Sequence, residues 1–96
     1  MDNDINNIRN QIYRIDKNII ELLQKRYSLS HKIGKLKNQQ GLDIKDIRQE
    51  KKVLANIKNT PHDPIPANDL ITLFATIIKL SRKFQKSRRN NLSPKN

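Results

Sequence analysis

Polar side chains interrupt the apolar stripes of three predicted helices, and their types are suited to binding or chemistry. Arg26 stands in a stripe of isoleucines and leucines that repeats alternately every three and four residues. Glu50 interrupts a second stripe, and Ser81 and Gln85, one turn apart, lie along or beside a third. An unpaired buried charge is costly, so each break needs a partner or a ligand. One break of this kind is commonly explained by control of helix register, but three breaks on three helices favour a shared polar site.

Two further cations extend this polar set. Lys37 follows Arg26 by eleven residues, which is close to three turns, so the two side chains leave nearly one helix face about 16 Å apart. Arg9 lies about 25 Å from Arg26 along the same helix and about a quarter-turn away, too far to join the same site within one chain. In an antiparallel pair of long helices, Arg9 of one copy would approach Arg26 of the other. On spacing alone, an exposed helix cation is an equally good interpretation of Arg9.

The chemical inventory of the set indicates noncovalent chemistry. Two or three cations, an amide, a hydroxyl and a carboxylate suit a small dianion that carries a hydroxyl group. The sequence has no cysteine, no phosphate-binding glycine loop and no metal-ligand cluster, and its two histidines, His31 and His62, are isolated. The catalytic means that remain are orientation and electrostatic stabilisation rather than covalent attack.

A long amino-terminal helix, from about residue 4 to 39, is predicted to carry the first cations. Its stripe keeps a heptad spacing without a slip, and Gly41 is well placed to end it. Such a helix is about 54 Å long, whereas a globule of 96 residues has a radius of gyration of only about 12–13 Å. The helix should therefore overhang a single-chain fold and pack against a second copy. The stripe consists of Ile5, Ile8, Ile12, Ile15, Ile19, Leu22, Arg26, Leu29, Ile33 and Leu36.

Two shorter helices follow, and no strand pattern is present. Asp46 is the expected N-cap of the second helix, with Gln49 completing a capping box. A loop over residues 60–66 contains three prolines, which forbid a continuous helix there. A third helix is predicted at about 67–88. The fold class is therefore all-α, with one domain over residues 1–89 and a basic, disordered tail over residues 90–96.

The formal net charge of +11 suggests nucleic-acid binding at first, but its distribution argues against this. Residues 82–96 supply six of these charges and contain no acid, so a solvated basic tail is the simpler interpretation. The four aromatic residues are too few and scattered for a base-stacking platform. No apolar run is long enough to span a membrane, and the amino terminus lacks the apolar region of a secretory signal. A cytoplasmic protein is expected.

The order and spacing of these residues resemble the all-helical chorismate mutases, the AroQ class. The resemblance extends from about residue 5 to 85 and rests on several motifs together. These are Arg9-x6-Asp16, Gln24-Lys25-Arg26, Gly34-Lys35-Leu36-Lys37, Asp46-x3-Glu50 and Ser81-x3-Gln85.

The resemblance implies an intertwined homodimer of three-helix chains with two equivalent active sites. It also implies the reaction, the [3,3] sigmatropic rearrangement of chorismate to prephenate on the way to phenylalanine and tyrosine. Arg26 and Arg9 of the partner subunit would clamp the two carboxylates of the substrate. Lys37 and Gln85 would donate hydrogen bonds to the ether oxygen whose bond to the ring breaks. No cofactor and no metal would be required.

The remaining residues implied by the resemblance lie near the ring hydroxyl and one carboxylate. Glu50 would accept a hydrogen bond from the ring hydroxyl, with Asp46 near it, and Ser81 would help to hold a carboxylate. One position departs from the family pattern, because the family commonly has Arg where this chain has Gln49. Arg48 stands one residue earlier, turned by about 100° on a helix. We therefore expect this departure to weaken substrate binding more readily than to abolish the reaction.

Two alternatives remain open. Isochorismate pyruvate lyase shares the fold and the cationic pocket, but the presence of both Asp46 and Glu50, with no Trp in the third helix, favours the mutase. The second alternative is a non-enzymatic, basic helical protein that binds nucleic acid, whose binding would weaken with salt and be lost without residues 86–96.

Overall fold

Three helices joined by two short connections make up the computed structural model, which describes residues 2–86. They are α1 (Asp2–Gln39), α2 (Ile47–Asn59) and α3 (Ala67–Lys86). The described residues contain no strand, so the predicted all-helical class is confirmed. The last two residues predicted for the third helix and the predicted tail at 90–96 lie outside the described residues.

Helix α1 begins two residues earlier than predicted and ends where the sequence indicates. Gly41 has a φ of 68°, a left-handed conformation that glycine adopts without a steric penalty. The N–H of Gly41 donates to the carbonyl of Asn38 at 3.3 Å, and the N–H of Leu42 donates to the carbonyl of Lys37 at 2.8 Å. These two bonds form a Schellman motif, which satisfies carbonyl groups at the helix end and turns the chain toward α2.

Helix α2 starts at the predicted cap. The Asp46 backbone is extended, and its side chain accepts a hydrogen bond from the Gln49 backbone N–H at 3.1 Å. At the other end, the N–H of Thr60 donates to the carbonyl of Ile57 at 3.1 Å. The proline-containing loop then carries the chain to α3, whose apolar face packs against both α1 and α2.

The core of the single chain is small and lies between the second half of α1 and α3. Its most buried apolar side chains are Leu70 and Ile78, both on α3. Tyr27 of α1 stacks on Phe84 of α3, with ring centroids 4.7 Å apart and an interplanar angle of 13°. The packing of α3 therefore covers only the carboxyl-terminal part of the long helix.

The amino-terminal part of α1 extends beyond this core. Every residue from 3 to 22 is exposed, including the isoleucines of the heptad stripe. The chain measures 59 × 37 × 14 Å and has a radius of gyration of 17.2 Å, against about 12–13 Å expected for a globule of this length. The predicted overhang is confirmed. No helix among the described residues is long and apolar enough to cross a membrane.

Candidate functional site

A cavity of about 260 Å³ lies between the second half of α1, the start of α2 and the second half of α3. Its lining is apolar at Leu29, Ile33, Ile44, Val53 and Ile78 and polar elsewhere. All three helices thus contribute polar groups to one concave surface. Six of the seven predicted site residues line it: Arg26, Lys37, Asp46, Glu50, Ser81 and Gln85.

Arg26 is held in the cavity by a side chain from the opposite helix. Its Nη1 donates to the Oγ of Ser81, and the Ser81 hydroxyl in turn donates to the carbonyl of Ile77 at 2.8 Å. Ser81 is 6% exposed, so this chain of bonds is shielded from water. Because a serine hydroxyl has one proton to donate, Ser81 in this state orients Arg26 rather than offering its proton to a ligand.

Lys37 connects the end of α1 to the segment that precedes α2. Its Nζ donates to the carbonyl of Ile44 at 2.8 Å, in a partly buried position. An ammonium group has three protons to donate, so two remain for a ligand in the cavity. The contact with Ile44 thus fixes the direction of a long side chain that would otherwise sample many rotamers.

Glu50 of α2 is paired with Arg82 of α3. The Arg82 Nε lies 2.9 Å from Glu50 Oε2, and the two side chains are 27% and 24% exposed, with Arg82 the more exposed. The buried Nε nevertheless has no hydrogen-bond partner of adequate geometry among the described residues. The two groups are therefore held by charge at close range rather than by a well-directed hydrogen bond.

Arg82 lines the cavity but is not among the predicted site residues, because its charge is counted with the basic segment 82–96. It lies in α3, within the third helix predicted at 67–88. A signal was available in the helical spacing, since Ile78, Ser81, Arg82 and Gln85 are related by i, i+3, i+4 and i+7 and so share one face. Its partner on another helix could not be read from spacing.

Gln85 lies where the backbones of α1 and α3 approach each other closely, opposite Gly34. A methyl group at Gly34 would lie 2.6 Å from the Cα of Gln85 and 2.9 Å from its carbonyl carbon, closer than packed carbon atoms allow. Only glycine at position 34 permits this approach. The Oε1 of Gln85 is buried, and no hydrogen bond from the described residues reaches it. Gln85 thus lines the cavity with an amide oxygen that no described residue engages.

The residues at the amino terminus of α2 occupy one edge of the cavity. Asp46 uses Oδ1 to cap the helix through the Gln49 N–H. The Gln49 residue itself lines the cavity beside Glu50, and it adds no charge there. Arg48 does not line this cavity, in agreement with the turn of about 100° between adjacent helix residues.

Arg9 is the predicted site residue that the single chain leaves outside the cavity. It is exposed on the overhanging part of α1, about 25 Å along the helix axis from Arg26. His31 and His62 also lie outside the cavity. Within residues 2–86, the structure contains no group of three or more His, Asp or Glu side chains that could hold a metal ion.

The charges of the cavity favour an anionic ligand. Arg26, Lys37 and Arg82 provide three positive charges, and Asp46 and Glu50 provide two negative ones. The cations come from α1 and α3, whereas the carboxylates lie at the start of α2. Such a site can bind a small anion and accept a hydrogen bond from a hydroxyl group.

Residues 8–86 match the family model described as chorismate mutase type II. The chain is 31% identical over 80 residues to the chorismate mutase of Methanocaldococcus jannaschii, covering 82% of this chain and 81% of that protein. It is 36% identical over 85 residues to a bifunctional chorismate mutase/prephenate dehydratase of Buchnera aphidicola subsp. Schizaphis graminum. That match covers 88% of this chain, which spans only 22% of the length of the bifunctional protein.

A solved structure has the same fold. The structure of chorismate mutase (form II) from Thermus thermophilus superposes on this chain with a TM-score of 0.83 and 29% sequence identity. The superposition covers 85% of this chain and 93% of the Thermus chain. The similarity therefore includes nearly all of the described helices.

Proposed function

The chain belongs to the chorismate mutase type II family, and on that premise we propose that it isomerises chorismate to prephenate in phenylalanine and tyrosine biosynthesis. The observation that carries the proposal is the cavity in which Arg26, Lys37, Glu50 and Gln85 converge from three helices. These groups match a substrate with two carboxylates, one ring hydroxyl and an ether oxygen.

Arg26 binds one substrate carboxylate through its guanidinium group. Arginine suits this task because its planar fork pairs with both oxygens of a carboxylate. The hydrogen bond from Arg26 to Ser81 supports this role, since it holds the guanidinium in the cavity before substrate arrives. Preorganisation of this kind reduces the entropy that binding must remove.

Lys37 and Gln85 stabilise the ether oxygen of the substrate. Negative charge builds on this oxygen as its bond to the ring breaks, so a donor placed there lowers the barrier more than it stabilises the ground state. The position of Gln85 in the cavity lining, where its NH2 group has two protons to donate, and the two free protons of Lys37 support this assignment. No covalent intermediate, cofactor or metal takes part in the step.

Glu50 accepts a hydrogen bond from the ring hydroxyl, with Asp46 near it at the edge of the cavity. Together with the carboxylate contacts, this interaction fixes both ends of the substrate. The enolpyruvyl arm is thereby held over the ring, and the restriction of a flexible molecule to its reactive conformer supplies much of the acceleration.

A homodimer completes this site. The exposed stripe on residues 3–22 of α1 is apolar and regularly spaced, as expected of a helix that packs against another helix. A second, antiparallel copy would cover this stripe and bring Arg9 of the partner subunit to the Arg26 end of the cavity. Arg9 then binds the second substrate carboxylate, and each dimer holds two equivalent sites.

The test is an assay of purified protein with chorismate and isochorismate, each offered separately. We expect loss of the ultraviolet absorbance of chorismate and formation of prephenate. Lys37→Ala should abolish the activity, whereas Lys35→Ala, which removes an exposed lysine of the same helix outside the cavity, should not. Salicylate and pyruvate from isochorismate would instead indicate the lyase, and no turnover of either compound would contradict both enzymes.

A further inference from the structure

The pairing of Arg82 with Glu50 is not explained by the roles given above. It is an ion pair between two helices inside the cavity, with both side chains about three-quarters buried. Among residues 2–86 it is also the one ion pair within 4 Å. We propose that Arg82 is a substrate-positioning residue, which holds the Glu50 carboxylate in place and offsets its charge where the substrate binds. This inference rests on the proposed function of the cavity.

The geometry of the pair leaves half of the Glu50 carboxylate available. Arg82 Nε approaches Oε2 at 2.9 Å, and a carboxylate has a second oxygen with its own lone pairs. Oε1 can therefore accept a hydrogen bond from a ligand hydroxyl while Oε2 stays with Arg82. Without Arg82, the carboxylate would lose the contact that selects its rotamer, and the ligand would have to order it on binding.

The charge of the cavity leads to the same conclusion. Within one chain, three cations and two carboxylates leave one net positive charge, and the proposed Arg9 of the partner subunit adds a second for a ligand with two negative charges. Removing Arg82 lowers either total by one and leaves Glu50 without its ion-pair partner in a partly buried site. A dicarboxylate would then meet the uncompensated field of Glu50, and like charges in such a site repel more strongly than they do in water.

Position also distinguishes Arg82 from the other cations near the end of α3. Arg82 lines the cavity, whereas the next residue, Lys83, is exposed and does not. The two residues are both cations of α3, but their side chains leave the helix in different directions. Lys83 is therefore the matched control for any effect of Arg82 that arises from net charge alone.

The experiment is steady-state kinetics with chorismate on wild-type protein, Arg82→Gln, Arg82→Lys and Lys83→Gln, together with thermal unfolding of each. We expect Arg82→Gln to raise KM by about ten- to a hundredfold, the range for a hydrogen bond to a charged group, here that of the substrate hydroxyl to Glu50, with a smaller change in kcat. Arg82→Lys should lie between Arg82→Gln and wild type, because lysine keeps the charge but not the fork. Lys83→Gln should match wild type.

A second variant tests whether charge beside Glu50 is what matters. Gln49 lines the same cavity next to Glu50, so Gln49→Arg in the Arg82→Gln background returns a cation from α2. We expect this double variant to recover part of the lost affinity. If Arg82→Gln does not fold, Arg82→Lys still tests the proposal, because a wild-type KM for that variant contradicts a role for the guanidinium.

Other outcomes separate this inference from the proposed function. An Arg82→Gln variant with a lowered melting temperature and a wild-type KM would make the pair a structural tie and overturn the inference alone. Binding of prephenate, followed by calorimetry, gives a readout independent of turnover, and we expect the same order of affinities. Wild-type protein that neither converts chorismate nor binds prephenate would overturn the proposed function and this inference with it.

Discussion

Gly34 and Gln85 are in backbone contact across the interface of α1 and α3. A methyl group at position 34 would lie 2.6 Å from the Cα of Gln85, well inside the separation of about 3.5–4.0 Å at which carbon atoms pack. The obstacle is backbone, which cannot move aside as the end of a flexible side chain can. The depth of Gln85 in the cavity therefore depends on the absence of a side chain on the facing helix.

Gly34→Ala adds only one methyl group, but it should impair catalysis strongly. Alanine favours a helix by about 1 kcal/mol over glycine, but overpacking at this contact should cost about 1–3 kcal/mol and push Gln85 away from the cavity. We expect a fall in kcat and a lower melting temperature, measured by kinetics and thermal unfolding.

Gly41→Ala is the matched control, since it replaces the other glycine of the chain. A side chain there meets no atom within 4 Å, but the φ of 68° strains an alanine. Stability should fall by about 1–2 kcal/mol while kcat stays at the wild-type value. A Gly34→Ala variant with unchanged kcat would contradict the proposed dependence of Gln85 on this contact.

Ser81→Ala should weaken the site through Arg26. The variant removes the hydroxyl that accepts the Arg26 hydrogen bond and leaves the guanidinium free to move. We expect kcat/KM to fall by about ten- to a hundredfold, the range for a hydrogen bond to a charged group. Thr76→Ala removes an exposed hydroxyl from the same helix, bonded in the same way to the preceding turn, and should leave kcat/KM unchanged. If both variants lowered kcat/KM equally, the effect of Ser81→Ala would come from its hydrogen bond within the helix and not from its contact with Arg26.

The proposed sharing of each site between two chains gives a sharp mixing experiment. Arg9→Ala and Arg26→Ala chains should each be nearly inactive alone. In a mixed dimer, one site combines the intact Arg26 of one chain with the intact Arg9 of the other, and the second site lacks both. Unfolding and refolding an equal mixture should restore about a quarter of the wild-type activity, because half of the dimers are mixed and each has one intact site. Activity that stays at the level of the separate variants would contradict a shared site.

The exposed stripe of α1 should control assembly. Ile12 lies in the middle of it and is 49% exposed in the single chain. Ile12→Glu would place a charge in the proposed interface, where it lacks a partner. We expect sedimentation to show a monomer, and activity to fall with the dimer. Asn10→Glu adds the same charge at an exposed position outside the stripe and should stay dimeric. A wild-type protein that sediments as a monomer at all concentrations would exclude the shared site.

The carboxyl-terminal segment should be dispensable for catalysis. A chain that ends at Lys86 keeps all of α3, including Arg82 and Gln85. Its kcat/KM for chorismate should equal that of the full chain, measured in the same assay. Binding to nucleic acid that is strong, falls with salt and is lost on this truncation would favour the alternative of a nucleic-acid-binding protein.

Much of the fold was determined by the sequence alone, because helices follow from local patterns. The heptad stripe and Gly41 predict the extent of α1 to within two residues, and Asp46 predicts the start of α2. These features depend on periodicity and on caps a few residues apart, which a single segment carries within itself. The polar breaks at Arg26 and Glu50 also follow from the pattern, since a charge in an apolar stripe is visible without a structure.

Relationships between helices were decided only by the tertiary structure. The sequence shows Arg82 and Gly34 on their helices but not that one pairs with Glu50 and the other contacts Gln85. Such contacts depend on how each helix is rotated about its axis and where two helices cross, and both are set by the packing of all three. For the same reason, helical spacing places Arg82 on the face of Ser81 and Gln85, but only the packing shows that it lines the cavity and pairs with Glu50.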